Sequence, residues 1–147
     1  LLHRDGPGRD LAFLLEPPAQ ASTIDAPPEA LWDALHGLGG RGLQSRFLRG
    51  ARMETLDGAL AEFAAALQFP PYASATLDGL DECLNDLDWL PPGPLALVLL
   101  AADRNLARAS AADQDALARI LATAVRAWND GENGGSRTLH VIFQSDL

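Results

Sequence analysis

The most regular hydrophobic pattern of the chain lies in its last third. Between Ser110 and Asn129, apolar residues recur every three or four positions, which is the spacing of one face of a helix. These apolar residues are Leu117, Ile120, Leu121, Ala124, Val125 and Trp128. Ser110 followed by Asp113 is typical of a helix cap. The pattern therefore predicts a long amphipathic helix that places Trp128 in the core.

Two shorter patterns of the same spacing predict helices upstream. Thr55 caps the first, which a pair of prolines at residues 70–71 ends. Thr76 caps the second, which we predict to run from Leu77 to about Leu87. Its apolar side comprises Leu77, Leu80, Cys83, Leu84 and Leu87. Because Cys83 lies on that side, we interpret it as a buried, inert thiol rather than a nucleophile.

Three short segments have the composition of strands. Residues 95–100 are continuously apolar, as in a strand buried on both faces, and we expect them at the centre of the sheet. Residues 46–53 and 138–143 predict one strand before it and one after it. The order of strand, helix, helix, strand, helix and strand implies an α/β fold with a small parallel sheet of three strands.

The first 43 residues show a different organisation. Residues 11–15 predict a strand, and residues 16–28, which are rich in Pro, Ala and Ser, predict a loop. A short helix follows, with an apolar stripe of Leu31, Trp32, Leu35 and Leu38. The glycine-rich residues 37–42 then connect this helix to the remainder of the chain. We therefore predict an accessory N-terminal extension at 1–43, which adds a fourth strand and a helix at the sheet edge, and a main domain at 44–147.

The excess negative charge of this chain comes from its middle third. Residues 53–103 hold nine acids and neither Lys nor Arg, whereas the rest of the chain holds 11 acids and 11 arginines. The formal net charge of −9 therefore arises in the middle alone. On the helix predicted after Thr76, the acids on the polar side and its flank are Asp78, Asp81, Glu82 and Asp86. Such a surface either serves solubility or attracts a basic partner, and it argues against nucleic acid, whose binding needs a basic surface.

The same stretch carries a sequence motif. Tyr72 is followed at residues 76–78 by Thr-Leu-Asp and at residues 82–84 by Glu-Cys-Leu. This run resembles the binding segment of the barstar family, the inhibitors of barnase-type ribonucleases. The family pattern there is an aromatic pair, Gly, any residue, Asn, Trp or Leu, and Asp, followed later by an acidic residue, Cys and Leu. The resemblance extends over about residues 45–144, and residues 86–91 resemble the longer bacterial members.

The sequence departs from the family pattern at four positions. Ala73 stands at the second aromatic position, Ser74 at the Gly and Thr76 at the Asn. Glu82 stands where the family usually has Asp. The family also carries an acidic contact on its later helix, whereas residues 116–128 of this chain contain no acid. The resemblance therefore implies that this additional contact is lost.

The resemblance implies a barstar-like fold and a function. A barstar-like protein would place its acidic helix in the basic active-site cleft of a barnase-type ribonuclease or ribonuclease toxin. Asp78 and Glu82 would take the place of RNA phosphates there, and Asp81 and Asp86 would add negative charge. The expected partner is thus a basic protein, and the expected role is that of an inhibitor or immunity protein in the bacterial cytoplasm.

The predicted partner-binding residues include more than the acids. The resemblance places Tyr72, Ser74 and Thr76, in the loop before the helix, at the rim of the interface. Trp89 follows the helix on its other side. Tyr72 and Trp89 are each expected either to anchor the partner or to cap the core, and the sequence leaves both alternatives open.

The sequence leaves two other functions open. The first is a non-inhibitory module of barstar fold that binds another basic protein. The second is a small hydrolase that uses Asp78 and Glu82 as a carboxylate pair. We expect no metal or cofactor, because His3, His36 and His140 have no other ligand at metal-site spacing. We also expect no enzymatic activity, because a row of carboxylates on a helix is more typical of a docking surface than of a catalytic pair. We also expect no membrane partner, because no apolar run reaches the length of a span, and the single Cys83 fits a reducing, cytoplasmic location.

Overall fold

A five-stranded parallel sheet organises the chain. The computed structural model describes residues 2–5, 11–18 and 20–145, and residues 2–5 by their backbone alone. The strands are β1 (Leu2–Asp5), β2 (Ala21–Asp25), β3 (Gln44–Arg49), β4 (Gly93–Leu100) and β5 (Arg137–Ser145), in the order β1-β2-β5-β4-β3. The α-helices of the described residues are α1 (Pro28–Gly37), α2 (Leu56–Leu67), α3 (Leu77–Leu84) and α4 (Ala111–Asn129). The predicted α/β class with a parallel sheet is confirmed.

The sheet separates two apolar cores. Leu95, Leu97 and Leu99 of β4 point to one face, where α2, α3 and α4 pack. Ala96 and Val98 alternate with them and point to the other face, where α1 packs. This double burial explains why the segment is apolar at every position, because neither side of the strand meets water.

The N-terminal segment contributes strands in places that the sequence pattern did not predict. Residues 11–15 were predicted as a strand, but a 3-10 helix occupies Ala12–Leu15. Leu11 and Leu14 are buried and lie three positions apart, which suits a helical turn rather than the two-residue period of a strand. The strand is instead β2, inside the predicted loop, where Ser22 and Ile24 alternate with less buried neighbours. With β1, the sheet has five strands rather than three or four.

The strand and helix limits also differ from the predicted ones. β4 is an interior strand, but the middle of the sheet is β5, because β2 pairs with β5. β3 ends at Arg49, since residues 50–52 form a 3-10 turn, and a Cβ at Gly50 would collide with the carbonyl oxygen of Leu100. α3 ends at Leu84 rather than Leu87, although Leu87 is fully buried. The division of the chain at residue 43 stays a prediction.

Within the described ranges, no helix combines the length and the apolar character needed to cross a membrane.

Candidate docking surface

The N-terminal end of α3 is set by local hydrogen bonding. The predicted cap is confirmed, since Thr76 Oγ1 accepts a hydrogen bond from the backbone N–H of Gly79 at 3.0 Å. Asp78 lies in the first turn, where the helix dipole stabilises a carboxylate. Leu80, Cys83 and Leu84 are buried against the core. The side of α3 that carries Asp78 and Glu82 therefore faces solvent.

Most of the predicted partner-binding side chains are exposed on one continuous stretch. The exposed ones are Tyr72, Ser74, Thr76, Asp78, Glu82 and Asp86, and the half-buried ones are Asp81 and Trp89. Tyr72 is 85% exposed, so its ring is available to a partner and does not cap the core. Their role in binding stays a prediction.

The exposed carboxylates of this stretch form no ion pair with any described residue. In the part of the chain that the structure describes, none of Asp78, Glu82, Asp86 and Asp88 forms an ion pair. We call these four side chains, together with Asp81, the acidic surface. Asp81 differs from the rest, because its Oδ1 accepts a hydrogen bond from Asn85 Nδ2 at 3.1 Å.

The thiol beneath the acidic surface is held in its protonated form. Cys83 is buried, as predicted. Burial raises the pKa of the Cys83 thiol, and the nearby carboxylates of Asp86 and Glu82 raise it further. Because only the thiolate is a strong nucleophile, this environment supports the structural interpretation of Cys83.

Gly79 allows the loop of residues 72–76 to pack closely against α3. A Cβ at this position would collide with the carbonyl oxygen of Ser74 and would lie 3.1 Å from the Ser74 Cβ. The loop backbone thus passes over the first turn of the helix at a distance that only glycine permits. Our sequence analysis missed this residue. The available signal was a glycine placed inside an apolar helical pattern, which indicates a close approach of backbone.

Arg137 fixes the segment that follows α3. Its guanidinium is buried and donates from Nη2 to the carbonyl oxygens of Leu90 at 3.2 Å and Pro91 at 2.9 Å. The same group lies 5.7 Å from the centre of the Trp128 ring, a cation–π contact. Burial, and secondarily the charge of Arg46, lowers the pKa of Arg137. Sequence reasoning missed this role, because the carbonyl partners lie far away along the chain.

Two further hydrogen bonds attach the end of α3 to the last helix and its following turn. Trp128 Nε1 donates to the carbonyl oxygen of Leu84 at 2.8 Å, so Trp128 is a core residue as predicted. Asn133 Nδ2 donates to Asn85 Oδ1 at 2.7 Å. Residues without a negative charge therefore fix the end of α3 beneath the acidic surface.

Trp89 belongs to the support of this segment. It is half-buried, and its Nε1 donates to the carbonyl oxygen of Leu67 at 2.9 Å. Its ring meets Phe69 edge-on at 6.0 Å. Of the two alternatives left open for Trp89, the structure favours packing against the core, and a contact with a partner remains a prediction.

No histidine of the described side chains accompanies the acidic surface. His140 is fully buried on the sheet face that α1 covers, and His36 lies on α1 itself. The His3 side chain lies outside the described residues. In the described ranges, no three His, Cys, Asp or Glu side chains are grouped as metal ligands would be. The pair of Asp78 and Glu82 thus has no imidazole partner among these residues.

Comparison with known proteins assigns the chain to a family. The family model described as "Barstar (barnase inhibitor)" matches residues 43–142. The chain belongs to the barstar family. The match begins just before β3, ends within β5, and includes α3 and the whole acidic surface. Barstar proteins are inhibitors that bind ribonucleases, and their fold is the one predicted from the motif around Tyr72.

A similarity among solved structures concerns the fold alone. A structure titled "Structure of the Aeropyrum Pernix ORC2 protein (ADPNP-ADP complexes)" superposes with a TM-score of 0.53 at 14% identity. The similarity covers 87% of this chain, but the chain spans only 35% of that protein's length. No curated protein matches the chain in sequence.

Proposed function

We propose that this barstar-family protein inhibits a basic, barnase-type ribonuclease by docking its acidic surface in the active-site cleft. The observation that carries the proposal is the row of exposed carboxylates on α3 and the turn after it, which have no ion-pair partner in the described part of the chain. In an inhibitor family whose targets bind RNA phosphates, such a row supplies the charges that a phosphate-binding cleft would accept.

The mechanism follows from electrostatics and preorganisation. Asp78 and Glu82 lie four residues apart on one side of α3, so they reach neighbouring cationic groups of the enzyme together. Among the described residues, the exposed carboxylates have no ion pair that must break before binding. Trp128 already holds the end of α3, and Arg137 holds the segment after it. The unbalanced negative charge also accelerates encounter with a basic partner, an effect that salt should screen.

Tyr72 provides the apolar part of the proposed interface. A ring that is 85% exposed, at the edge of a charged surface, can bury most of its area against a partner. When the target is a ribonuclease toxin made by the same bacterial cell, the protein acts as its immunity protein in the cytoplasm. It acts by occupying the cleft and performs no chemistry of its own.

Replacing Glu82 by Arg tests the proposal. Glu82→Arg would place a cation in a basic, desolvated cleft, and we expect inhibition of a barnase-type ribonuclease to weaken by about a hundredfold or more. The melting temperature should stay level or rise, because the change removes the like-charge repulsion with Asp78 one helical turn earlier, which costs about 0.2–0.5 kcal/mol. The measurement is a titration of ribonuclease activity with each variant, beside a melting curve.

The matched control is Asp115→Arg, which makes the same change of charge at an exposed position of α4. This variant should inhibit nearly as well as the parent. Equal weakening by both variants would show that only overall charge matters, and undiminished inhibition by Glu82→Arg would refute docking through α3. Binding of a basic protein without inhibition would favour the non-inhibitory interaction module instead.

A further inference from the structure

The described side chains leave two large aromatic groups strongly exposed, Tyr72 and Trp32. Tyr72 belongs to the proposed ribonuclease interface. Trp32 is 51% exposed and lies on α1, which packs on the opposite face of the sheet from α3. Its neighbour Leu31 is fully buried, so α1 fills the core without the help of Trp32. The exposed ring therefore requires an explanation of its own.

Three aromatic rings hold one another in place at this position. Trp32 stacks on His36 with 4.0 Å between ring centres and 28° between planes, and it contacts Phe47 of β3 at 4.9 Å. His36 Nδ1 lies 2.9 Å from the carbonyl oxygen of Trp32, one helical turn earlier. Because the indole is already oriented by these contacts, a guest that stacks on it loses little of the binding energy to ordering the ring.

A groove of about 450 Å³ opens beside the exposed ring. Its apolar floor comprises Pro28, Trp32, Phe47 and Leu100. Glu29 and Asp33, four residues apart on α1, line its rim, and neither forms an ion pair in the described part of the chain.

The positive residue of the groove is already neutralised. Arg49 also lines the groove, but its Nε donates to Glu62 Oε2 at 2.9 Å and its Nη2 to Glu62 Oε1 at 3.3 Å. The carboxylates of Glu29 and Asp33 therefore determine the net charge that a guest meets. An aromatic face beside two carboxylates is complementary to a cation that also has an apolar or planar surface.

We propose that this groove binds an arginine side chain from a basic protein segment. The planar guanidinium would stack on Trp32, and its N–H groups would donate to the carboxylates of Glu29 and Asp33. A purely apolar occupant would leave two carboxylates facing it without partners, and a nucleic acid would meet like charge. The site is independent of the ribonuclease proposal, because it lies on the other face of the sheet. Its stacking ring and both of its carboxylates, on α1, also precede the residues that match the barstar family.

The probe is an acetylated, amidated tetra-arginine peptide, observed through the indole N–H signal of Trp32 in a ¹H–¹⁵N spectrum. The loss of that signal in Trp32→Leu assigns it. We expect the signal to shift with tetra-arginine, and the affinity read from it to fall about tenfold in the double variant Glu29→Gln, Asp33→Asn. Glu82→Gln, which alters only the acidic surface, should leave that affinity unchanged.

The outcomes discriminate between possible occupants. A tetra-citrulline peptide has nearly the same shape without the charge, and it should not shift the signal at the same concentration. An equal shift with citrulline would overturn the proposal in favour of an apolar groove. A shift that depends on protein concentration without peptide would show that a second copy of the chain occupies it. An unmoved Trp32 signal while tetra-arginine binds elsewhere would also overturn it, and melting curves establish that each variant is folded.

Discussion

At the scale of single residues, a buried histidine couples stability to pH. His140 was expected to be structural, and it is fully buried in β5, where the Phe13 ring meets it edge-on at 6.1 Å. Within the described residues, neither ring nitrogen has a well-formed hydrogen bond. Burial lowers the pKa of His140 to about 4, an effect that the backbone of Glu16 only partly offsets. In the unfolded chain the same group has a pKa of about 6.5.

We expect the free energy of unfolding to be highest above pH ~6.5 and to fall as the pH decreases towards about 4. In that window the unfolded chain binds a proton that folded His140 does not, so acid favours unfolding. The difference in pKa corresponds to about 3 kcal/mol, as an upper bound. Urea unfolding of His140→Leu at a series of pH values should show a much flatter dependence over this window. His36→Gln, at an exposed histidine, should keep the parental slope, and equal slopes in His140→Leu and the parent would contradict the assignment.

Residue roles divide into those that local sequence determines and those that it does not. The caps at Thr55, Thr76 and Ser110 were all predicted, and each side chain accepts from the backbone N–H three residues later. A cap is a contact within four residues, so its pattern is visible in the sequence. Arg137 was not predicted, because its partners lie 46 or more residues earlier.

At the scale of elements, α3 and the loop before it form one unit through Gly79. Alanine normally stabilises a helix interior by about 1 kcal/mol relative to glycine. At Gly79 the added Cβ would collide with Ser74, so Gly79→Ala should instead destabilise the protein by about 1–3 kcal/mol. Displacement of the loop should also weaken inhibition of the ribonuclease. Melting curves and inhibition titrations measure the two effects.

The matched control for this change is Gly37→Ala, since Gly37 is the last residue of α1 and a Cβ there would meet nothing within 4 Å. That variant should be neutral or slightly stabilised. If Gly79→Ala behaved in the same way, the loop would not rest on the helix as described, and the account of the Tyr72 position would be wrong.

The elements that the sequence predicted correctly are those whose environment is simple. α2, α4 and β4 were predicted because one-sided or complete burial leaves a clear hydrophobic period. β2 was missed because its sequence, Ala-Ser-Thr-Ile-Asp, includes a buried Ser22 and has little apolar character. β2 is stabilised instead by backbone hydrogen bonds to β5, and a side-chain pattern does not reveal such bonds.

At the scale of the whole molecule, the N-terminal extension covers one face of the sheet. Leu14, Ile24, Leu31 and Leu35 pack there against apolar side chains of β4 and β5. Of the described residues, none before Leu48 belongs to the other core, which lies beneath the acidic surface. An accessory extension should be removable, so its test is whether the protein still folds when this face of the sheet is uncovered.

We expect a chain that begins at Gly42 to melt cooperatively but at a lower temperature, and to self-associate. Each buried leucine or isoleucine side chain that is removed contributed about 2 kcal/mol through apolar burial, and its partners on the sheet become exposed. Circular dichroism and sedimentation measure these effects. Ribonuclease inhibition by the monomeric fraction should persist, because α3 lies on the opposite face. Melting without a cooperative transition would show that the extension belongs to a single folding unit with the rest.

The bonds that Arg137 makes to the carbonyl oxygens of Leu87, Leu90 and Pro91 also have a consequence for synthesis on the ribosome. All the carboxylates of the acidic surface are translated before residue 89, yet the group that holds the following turn is added some fifty residues later, in the final strand. A growing chain therefore exposes its charge early and acquires a shaped binding face only when its last strand has emerged and inserted between β2 and β4. The shape that we propose to fit a ribonuclease therefore forms only after β5 has been synthesised, and shorter chains offer charge alone.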